Sequence, residues 1–188
     1  MPQDYFEFFS LPRHLVIDVK DLEKRFYALS RQWHPDMHSR KSPAEREQAE
    51  ESTAVLNDAY RTLREPIARA EYLLKLEGFD IGEQTTKDVP PELLEEVFEL
   101  NMALEEVRAG DADALPQLES ARERFEVMKS EIDAHLQVKF SEWDSSGNRE
   151  ALAAVRGLLN RRKYITNLIA HTQIAQTSDA TAHVPDRV

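Results

Sequence analysis

Two helical sequence patterns on either side of a proline constrain the fold of this chain most. The apolar residues of the first pattern recur at spacings of four, three and four, as on one face of an amphipathic helix: Leu22, Phe26, Leu29 and Trp33. Pro35 disfavours helical geometry at His34, so we expect the helix to end there. Ser42, Pro43 and Glu45 then form a capping-box sequence that begins a second helix. The sequence therefore predicts a helical hairpin, with His34, Pro35 and Asp36 between its two helices.

Further capping and breaking residues predict the other helices of the first half. Asp18 is the expected N-cap of the first hairpin helix. The apolar face of the second hairpin helix is expected to comprise Val55, Leu56, Ala59, Tyr60 and Leu63. Pro66 interrupts this pattern, one or two further helical turns are expected over residues 68–76, and Gly78 is a natural C-cap.

The second half carries the pattern of a small antiparallel three-helix bundle. After a polar linker over 77–91, alternating spacings of four and three define a seam: Leu93, Val97, Leu100, Leu104 and Val107. Gly110 ends this helix, a long second helix leads toward Trp143, and a third is expected from about Glu150 to Ile174. We therefore predict an all-α protein, with an N-terminal helical hairpin domain (1–76), the linker, a three-helix bundle (92–175) and a disordered tail (176–188).

Charge and composition exclude several classes of function. The net charge is −11, and residues 77–188 hold 22 acidic against 12 basic side chains, so this half repels phosphate backbones and no nucleic-acid partner is expected. The chain has no cysteine, which excludes disulfides and thiolate metal sites. It also has no apolar run of about 18 residues and no secretory-signal pattern at Met1, so no membrane partner is expected and a cytoplasmic location is compatible.

The segment His34-Pro35-Asp36-Met37-His38 allows several interpretations from its residues alone. It places three potential metal ligands at alternate positions, but the remaining histidines are scattered and no helical His-x-x-x-His pair completes a ligand set. No phosphate loop, nucleophile motif or paired acidic site accompanies a possible His34–Asp36 catalytic dyad. A capped turn without chemistry and an exposed recognition element are the other interpretations.

Three sequence blocks resemble a J-domain, the module with which co-chaperones stimulate ATP hydrolysis by DnaK-type chaperones. They are Asp4-Tyr5-Phe6, the run from Phe26 to Asp36, and the run from Leu56 to Leu63. The continuation from Arg64 to Leu74 is similar to HscB, the J-protein family of iron–sulfur cluster assembly. The resemblance is strong over residues 4–79, and the acidic second half suits the family in length and placement.

The resemblance also implies which residues contact the chaperone. His34, Pro35 and Asp36 would contact a DnaK/HscA-type chaperone where its ATPase domain meets its linker. A basic helix face would steer the docking: Lys20, Lys24, Arg25 and Arg31. The chain departs from the common J-domain pattern at Met37, where a lysine is common, and at Glu23 and Ala28, where many J-domains carry basic residues.

A second apolar stripe on the first bundle helix lies off the seam. Leu94, Phe98 and Met102 are spaced by four residues, roughly 120–150° around the helix from the seam centre. They either pack on a neighbouring element or form an exposed partner-binding stripe. In HscB proteins an IscU-type iron–sulfur scaffold docks on this helix and on an aromatic residue of the last one. The matching residues here would be Leu94, Phe98, Glu99, Met102 and, on the last helix, Tyr164.

The sequence therefore predicts a co-chaperone that binds an iron–sulfur scaffold protein and activates the ATPase of a partner chaperone. No cofactor, bound metal or catalytic residue of its own is expected. One alternative is a J-protein that delivers a different client. The other is a metal-dependent enzyme that uses His34, Asp36 and His38.

Overall fold

All regular structure in the described part of the chain is helical, as the sequence predicts. The computed structural model describes residues 4–33, 42–79 and 91–182. Within these ranges there are seven α-helices: α1 (Tyr5–Phe8), α2 (Val19–Gln32), α3 (Pro43–Arg64), α4 (Pro66–Leu76), α5 (Leu94–Arg108), α6 (Leu115–Ser146) and α7 (Arg149–Ala182). Two single-turn 3₁₀ helices, Pro91–Leu93 and Ala112–Ala114, precede α5 and α6.

The predicted helix caps at both hairpin helices are confirmed. The Asp18 carboxylate accepts hydrogen bonds from the N–H groups of Lys20 at 2.9 Å and Asp21 at 3.3 Å. At the start of α3, the N–H of Glu45 donates to the Ser42 hydroxyl at 3.4 Å, and the Ser42 N–H donates to the Glu45 carboxylate at 2.9 Å. These bonds satisfy backbone donors that a helix leaves free at its N-terminus, which is why both helices begin where the sequence predicts.

The ends of α4 and α5 also follow the sequence. Pro66 opens α4 directly after α3, and α4 runs for 11 residues, longer than the one or two turns expected. Gly78 after α4 and Gly110 after α5 have φ angles of 75° and 90°. Glycine adopts this left-handed conformation without the steric cost that a Cβ brings, so both helices end at these residues.

Two expectations differ from the structure. Val55, predicted on the apolar face of α3, is 38% exposed. The core on α3 is formed by Ala49, Leu56, Ala59 and Leu63, and Val55 is more exposed than these residues. The last helix continues to Ala182 rather than ending near Ile174, so it overlaps the tail that was expected to be disordered. Residues 183–188 lie outside the described part of the chain.

The chain divides into two compact units. Unit 1 comprises residues 1–81 together with 137–156, and unit 2 comprises 82–136 together with 157–188. The end of α6 and the start of α7 therefore belong to the same unit as the N-terminal hairpin. The predicted boundaries had placed the whole of 92–175 in one bundle.

Unit 1 is built on the hairpin of α2 and α3, against which α1 and α4 pack. Its buried apolar residues from the N-terminal region are Phe6, Phe9, Leu15, Leu22, Ala49, Leu56, Ala59, Leu63, Ala70, Leu73 and Leu74. Within the 137–156 segment, Phe140, Leu152 and Val155 are also fully buried. Tyr5 stacks on Tyr72 of α4 with ring centroids 4.5 Å apart, and the Tyr72 hydroxyl accepts a hydrogen bond from the Tyr5 N–H at 2.9 Å.

Charged side chains fix the loop between α1 and α2. The Asp144 carboxylate accepts hydrogen bonds from the N–H groups of Leu15 at 2.6 Å and Val16 at 2.7 Å. Arg69, only 4% exposed, donates to the Leu15 carbonyl at 2.9 Å and to the Leu63 carbonyl. Burial lowers the pKa of Arg69, and the nearby Asp144 carboxylate partly offsets this effect. Both polar groups of the Leu15 backbone are thus satisfied by side chains far away in sequence.

Unit 2 contains α5, the first part of α6 and most of α7. Its core is apolar: Leu93, Leu100, Ala103, Leu104, Val107, Ala114, Leu118, Ala121, Phe125, Ile132, Leu136, Leu159, Tyr164, Ile165, Leu168 and Ile169. Two ion pairs join the helices at the surface of this core, Arg124 to Glu99 at 2.8 Å and Arg162 to Asp133 at 2.5 Å. The predicted seam on α5 is buried at Leu93, Leu100, Leu104 and Val107, whereas Val97 is partly exposed.

Candidate partner-binding sites

The candidate chaperone site begins where α2 ends. His34, Pro35, Asp36, Met37 and His38 lie outside the described residues, so their predicted roles rest on the sequence. The residue before them is held firmly. The Trp33 ring packs on Phe8 with centroids 5.2 Å apart, and the Trp33 N–H donates to the Leu29 carbonyl at 3.1 Å. The Thr53 hydroxyl of α3 lies 3.3 Å from the Trp33 carbonyl, although its shorter bond, at 2.8 Å, is to the Ala49 carbonyl of its own helix. The capping box at Ser42 fixes the start of α3 on the other side, so both ends of the connecting segment are anchored.

Three of the four predicted basic residues on α2 are exposed. Lys20, Lys24 and Arg31 lie on the surface of the helix. Arg25 has a different role, because its guanidinium donates to the carbonyls of Phe9 and Ser10, each at 2.9 Å, and pairs with Asp21 at 2.8 Å. Arg25 therefore ties α2 to the end of α1. Its predicted part in docking is weakened, because three of its five N–H donors already bond within the unit.

The second apolar stripe on α5 lies outside the core, so it does not pack on a neighbouring element as the first alternative required. Leu94 is 55% exposed, Phe98 66% and Met102 45%. These are large apolar side chains at consecutive helical turns on one face. Leaving such a row in water gains nothing for folding, and exposed apolar patches of this kind mark interaction surfaces.

A groove of about 540 Å³ lies between α5 and α6 beside this stripe. Phe98, Glu99 and Met102 line it from α5, and Ala121 and Arg124 are among its residues on α6. The Arg124–Glu99 pair bridges the two helices here. Glu99 therefore has a partner within the unit, and sequence reasoning missed Arg124, because a contact across 25 positions leaves no local pattern.

The prediction that Tyr164 belongs to the scaffold-binding surface does not agree with its burial. The sequence placed it off the apolar face of the last helix, but its side chain is only 9% exposed. Burial also raises the pKa of its hydroxyl group. Ile165 and Leu168 on the same helix are buried as well. The Tyr164 ring is therefore not available on the surface of unit 2 for a partner to contact.

The described residues offer neither a metal-binding cluster nor a membrane span. Among them, no group of three histidine, aspartate or glutamate side chains is arranged to hold a metal ion. In the same part of the chain, no helix is both long and apolar enough to span a membrane.

Comparison with known proteins gives the class of the chain and then its family. The model of the DnaJ domain matches residues 4–72, and that of the HSCB C-terminal oligomerisation domain matches residues 89–173. The chain is thus a J-domain protein with a second, helical domain. The mouse (Mus musculus) iron–sulfur cluster co-chaperone protein HscB is 29% identical over 175 residues, which is 93% of this chain and 70% of the mouse protein.

Solved structures agree with these matches in fold. Chaperone HscB from Vibrio cholerae is 30% identical with a TM-score of 0.64, and the match covers 94% of this chain and 99% of that one. Human co-chaperone protein HscB is 26% identical with a TM-score of 0.69, and the match covers 93% and 82%. The chain belongs to the HscB family of J-domain co-chaperones.

Proposed function

We propose that this chain is a co-chaperone of iron–sulfur cluster assembly that links an IscU-type scaffold protein to a DnaK/HscA-type chaperone. The exposed stripe of Leu94, Phe98 and Met102 is the observation that carries the proposal, because a J-domain protein needs a separate surface for its client. The stripe belongs to unit 2, whereas the basic face of α2 belongs to unit 1. One chain thus offers two distinct surfaces for two partners.

At the chaperone, we assign recognition to His34, Pro35 and Asp36, with Lys20, Lys24 and Arg31 as the steering charges. The well-anchored ends of the 34–41 segment support this assignment, because a recognition element with fixed ends loses less conformational entropy on binding. The chain performs no hydrolysis of its own in this proposal. It binds the hydrolysis-competent state of the chaperone more tightly than the other state, and so shifts that equilibrium.

At the scaffold, we assign binding to Leu94, Phe98 and Met102, with Glu99 at the polar rim. An amphipathic segment of the scaffold would bury these side chains, as in other helix-and-groove complexes. Arg124 already pairs with Glu99, so that carboxylate is held in place before the partner arrives. Tyr164 is left out of this site because it is buried.

Steady-state ATPase assays test the two assignments together. A purified HscA- or DnaK-type chaperone is measured alone, with this chain, and with this chain plus an IscU-type scaffold. We expect the chain to raise the turnover rate and the scaffold to raise it further. No stimulation under either condition would refute the co-chaperone role. Stimulation that the scaffold leaves unchanged would favour the alternative, a J-protein for a different client.

Elemental analysis tests the alternative of a metal-dependent enzyme. The proposal expects no stoichiometric metal in the purified protein. One tightly bound metal ion per chain that is lost on replacing His34 or His38 would support the enzyme instead. The cytoplasmic location expected from the sequence is part of the same proposal, and fractionation of the producing cells tests it.

A further inference from the structure

One aromatic side chain on the basic face of α2 is left in water. Tyr27 is 56% exposed, and no sequence pattern had singled it out. On a helix, residues three and four positions apart are surface neighbours. Lys24 therefore lies on one side of Tyr27 and Arg31 on the other. The exposed ring therefore lies among the basic side chains that we assign to the chaperone contact.

The ring of Tyr27 is held in position by its neighbours. It meets Phe26 edge to face, with ring centroids 5.6 Å apart and planes inclined at 66°. Phe26 in turn stacks on Tyr60 of α3, with centroids 4.3 Å apart. This chain of rings couples Tyr27 to the packed hairpin. A side chain fixed in this way loses little further freedom when a partner covers it.

Not all the cations of α2 are free for a partner. Arg25 is engaged by backbone carbonyls and Asp21. Glu23, already noted in the sequence, adds an opposing charge on the helix. Steering by the remaining cations increases the rate of association more than the affinity. Affinity at protein interfaces comes mainly from a few central aromatic or arginine side chains surrounded by a polar rim.

We infer that Tyr27 is the apolar anchor of the chaperone-docking face, and that Lys20, Lys24 and Arg31 form its charged rim. The occupant is the partner chaperone, with an apolar patch bordered by carboxylates that complement these cations. This inference rests on the proposed function, because it names the residue that provides affinity at the same site. It differs from a purely electrostatic contact in its dependence on salt.

The test measures ATPase stimulation of the purified HscA- or DnaK-type chaperone over a range of co-chaperone concentrations, without scaffold. We expect Tyr27→Ala to raise the concentration for half-maximal stimulation about tenfold, the effect of losing an interface aromatic. Tyr27→Phe should behave like the wild type, because it keeps the ring. Val138→Ala is the matched control, since Val138 is 63% exposed and lies outside α2.

The dependence on salt distinguishes the apolar contribution of Tyr27 from the electrostatic contribution of the surrounding cations. The Debye length falls from about 10 Å at 0.1 M salt to a few ångströms near 1 M. When the salt concentration is raised from 0.05 M to 0.3 M, the loss of stimulation caused by Lys24→Ala should become smaller. The loss caused by Tyr27→Ala should stay the same. Tyr27→Gln, which removes the ring but keeps a longer side chain on the helix, replaces the alanine variant if circular dichroism shows that the latter is misfolded.

The outcomes distinguish the inference from the proposal beneath it. If Tyr27→Ala and Tyr27→Gln stimulate the chaperone as well as the wild type does, Tyr27 is not the anchor, and the co-chaperone role is unaffected. A loss that weakens with salt as much as that of Lys24→Ala would assign Tyr27 to an electrostatic surface and also overturn the inference. Absence of stimulation by the wild type would overturn the proposed function and the inference together.

Discussion

Replacing Asp144 with alanine tests how strongly the 137–156 segment stabilises unit 1. The Asp144 carboxylate accepts one hydrogen bond on each oxygen, from the N–H groups of Leu15 and Val16. Leu15 itself is fully buried. The variant removes both acceptors and also one of the two carboxylates that favour the charged form of buried Arg69. All three effects lower the stability of the folded unit.

The expected loss follows from the exposure of each bond. A hydrogen bond to a charged group contributes about 1.5–3 kcal/mol, which we apply to the partly buried Leu15 bond. Water replaces the carboxylate at the exposed Val16 N–H, so this bond adds about 0.5 kcal/mol. The free energy of unfolding of unit 1 should therefore fall by about 2–3.5 kcal/mol. With a urea dependence of about 2 kcal/mol per molar, the midpoint should fall by about 1–1.8 M.

Tryptophan fluorescence measures this unit selectively. The chain has two tryptophans, Trp33 and Trp143, and both belong to unit 1. Asp58→Ala is the control, because Asp58 forms an exposed ion pair with Arg61 on α3, and such pairs contribute about 0.5 kcal/mol or less. If the Asp144→Ala midpoint lies as close to the wild type as that of the control, the 137–156 segment does not stabilise unit 1 through Asp144.

Three other predictions concern acid stability and the two partner sites. Burial raises the pKa of Asp4, but hydrogen bonds from the Glu7 N–H and Arg13 outweigh it, and the pKa lies below its ordinary value of 3.8. The stabilisation is thus present above about pH 5 and lost as the pH falls through the folded pKa; unfolding measured at pH 7 and pH 3 should show a smaller difference between wild type and Asp4→Asn in acid. His34→Gln should abolish ATPase stimulation with an unchanged circular-dichroism spectrum, and normal stimulation would contradict the role of the tripeptide. Leu94→Ala with Phe98→Ala should weaken scaffold binding at least tenfold in calorimetry, consistent with loss of two interface anchors, while a large fall in melting temperature would place the stripe in the core.

Local chemistry made much of the fold predictable. Asp18 and the Ser42 capping box marked two helix starts, and Gly78 and Gly110 marked two ends, because each acts through backbone groups a few residues away. The exposed stripe on α5 was also visible as a row of apolar residues off the seam. These features depend on helical spacing, which the sequence carries directly.

Contacts between distant parts of the chain were not predictable in this way. Arg25 looked like a surface cation, but its partners at Phe9 and Ser10 are 16 and 15 positions away. The periodicity of the last helix placed Tyr164 off its apolar face. The side chain is nevertheless buried, because neighbouring elements also decide which side chains are covered. No local signal joined Asp144 to the loop at Leu15, so the sequence did not indicate that residues 137–156 belong with the N-terminal hairpin.

The separation of Leu15 and Asp144 by 129 positions has a consequence during synthesis. A ribosome that adds about 5–20 residues per second needs roughly 6–26 s to proceed from one residue to the other. During this interval the N–H groups of Leu15 and Val16 have no Asp144 carboxylate to meet, and for its later part both helices of the hairpin have already been made. Unit 1 can reach its final form only after the start of the last helix is made. The nascent hairpin should therefore be more sensitive to proteases than the same residues in the finished protein.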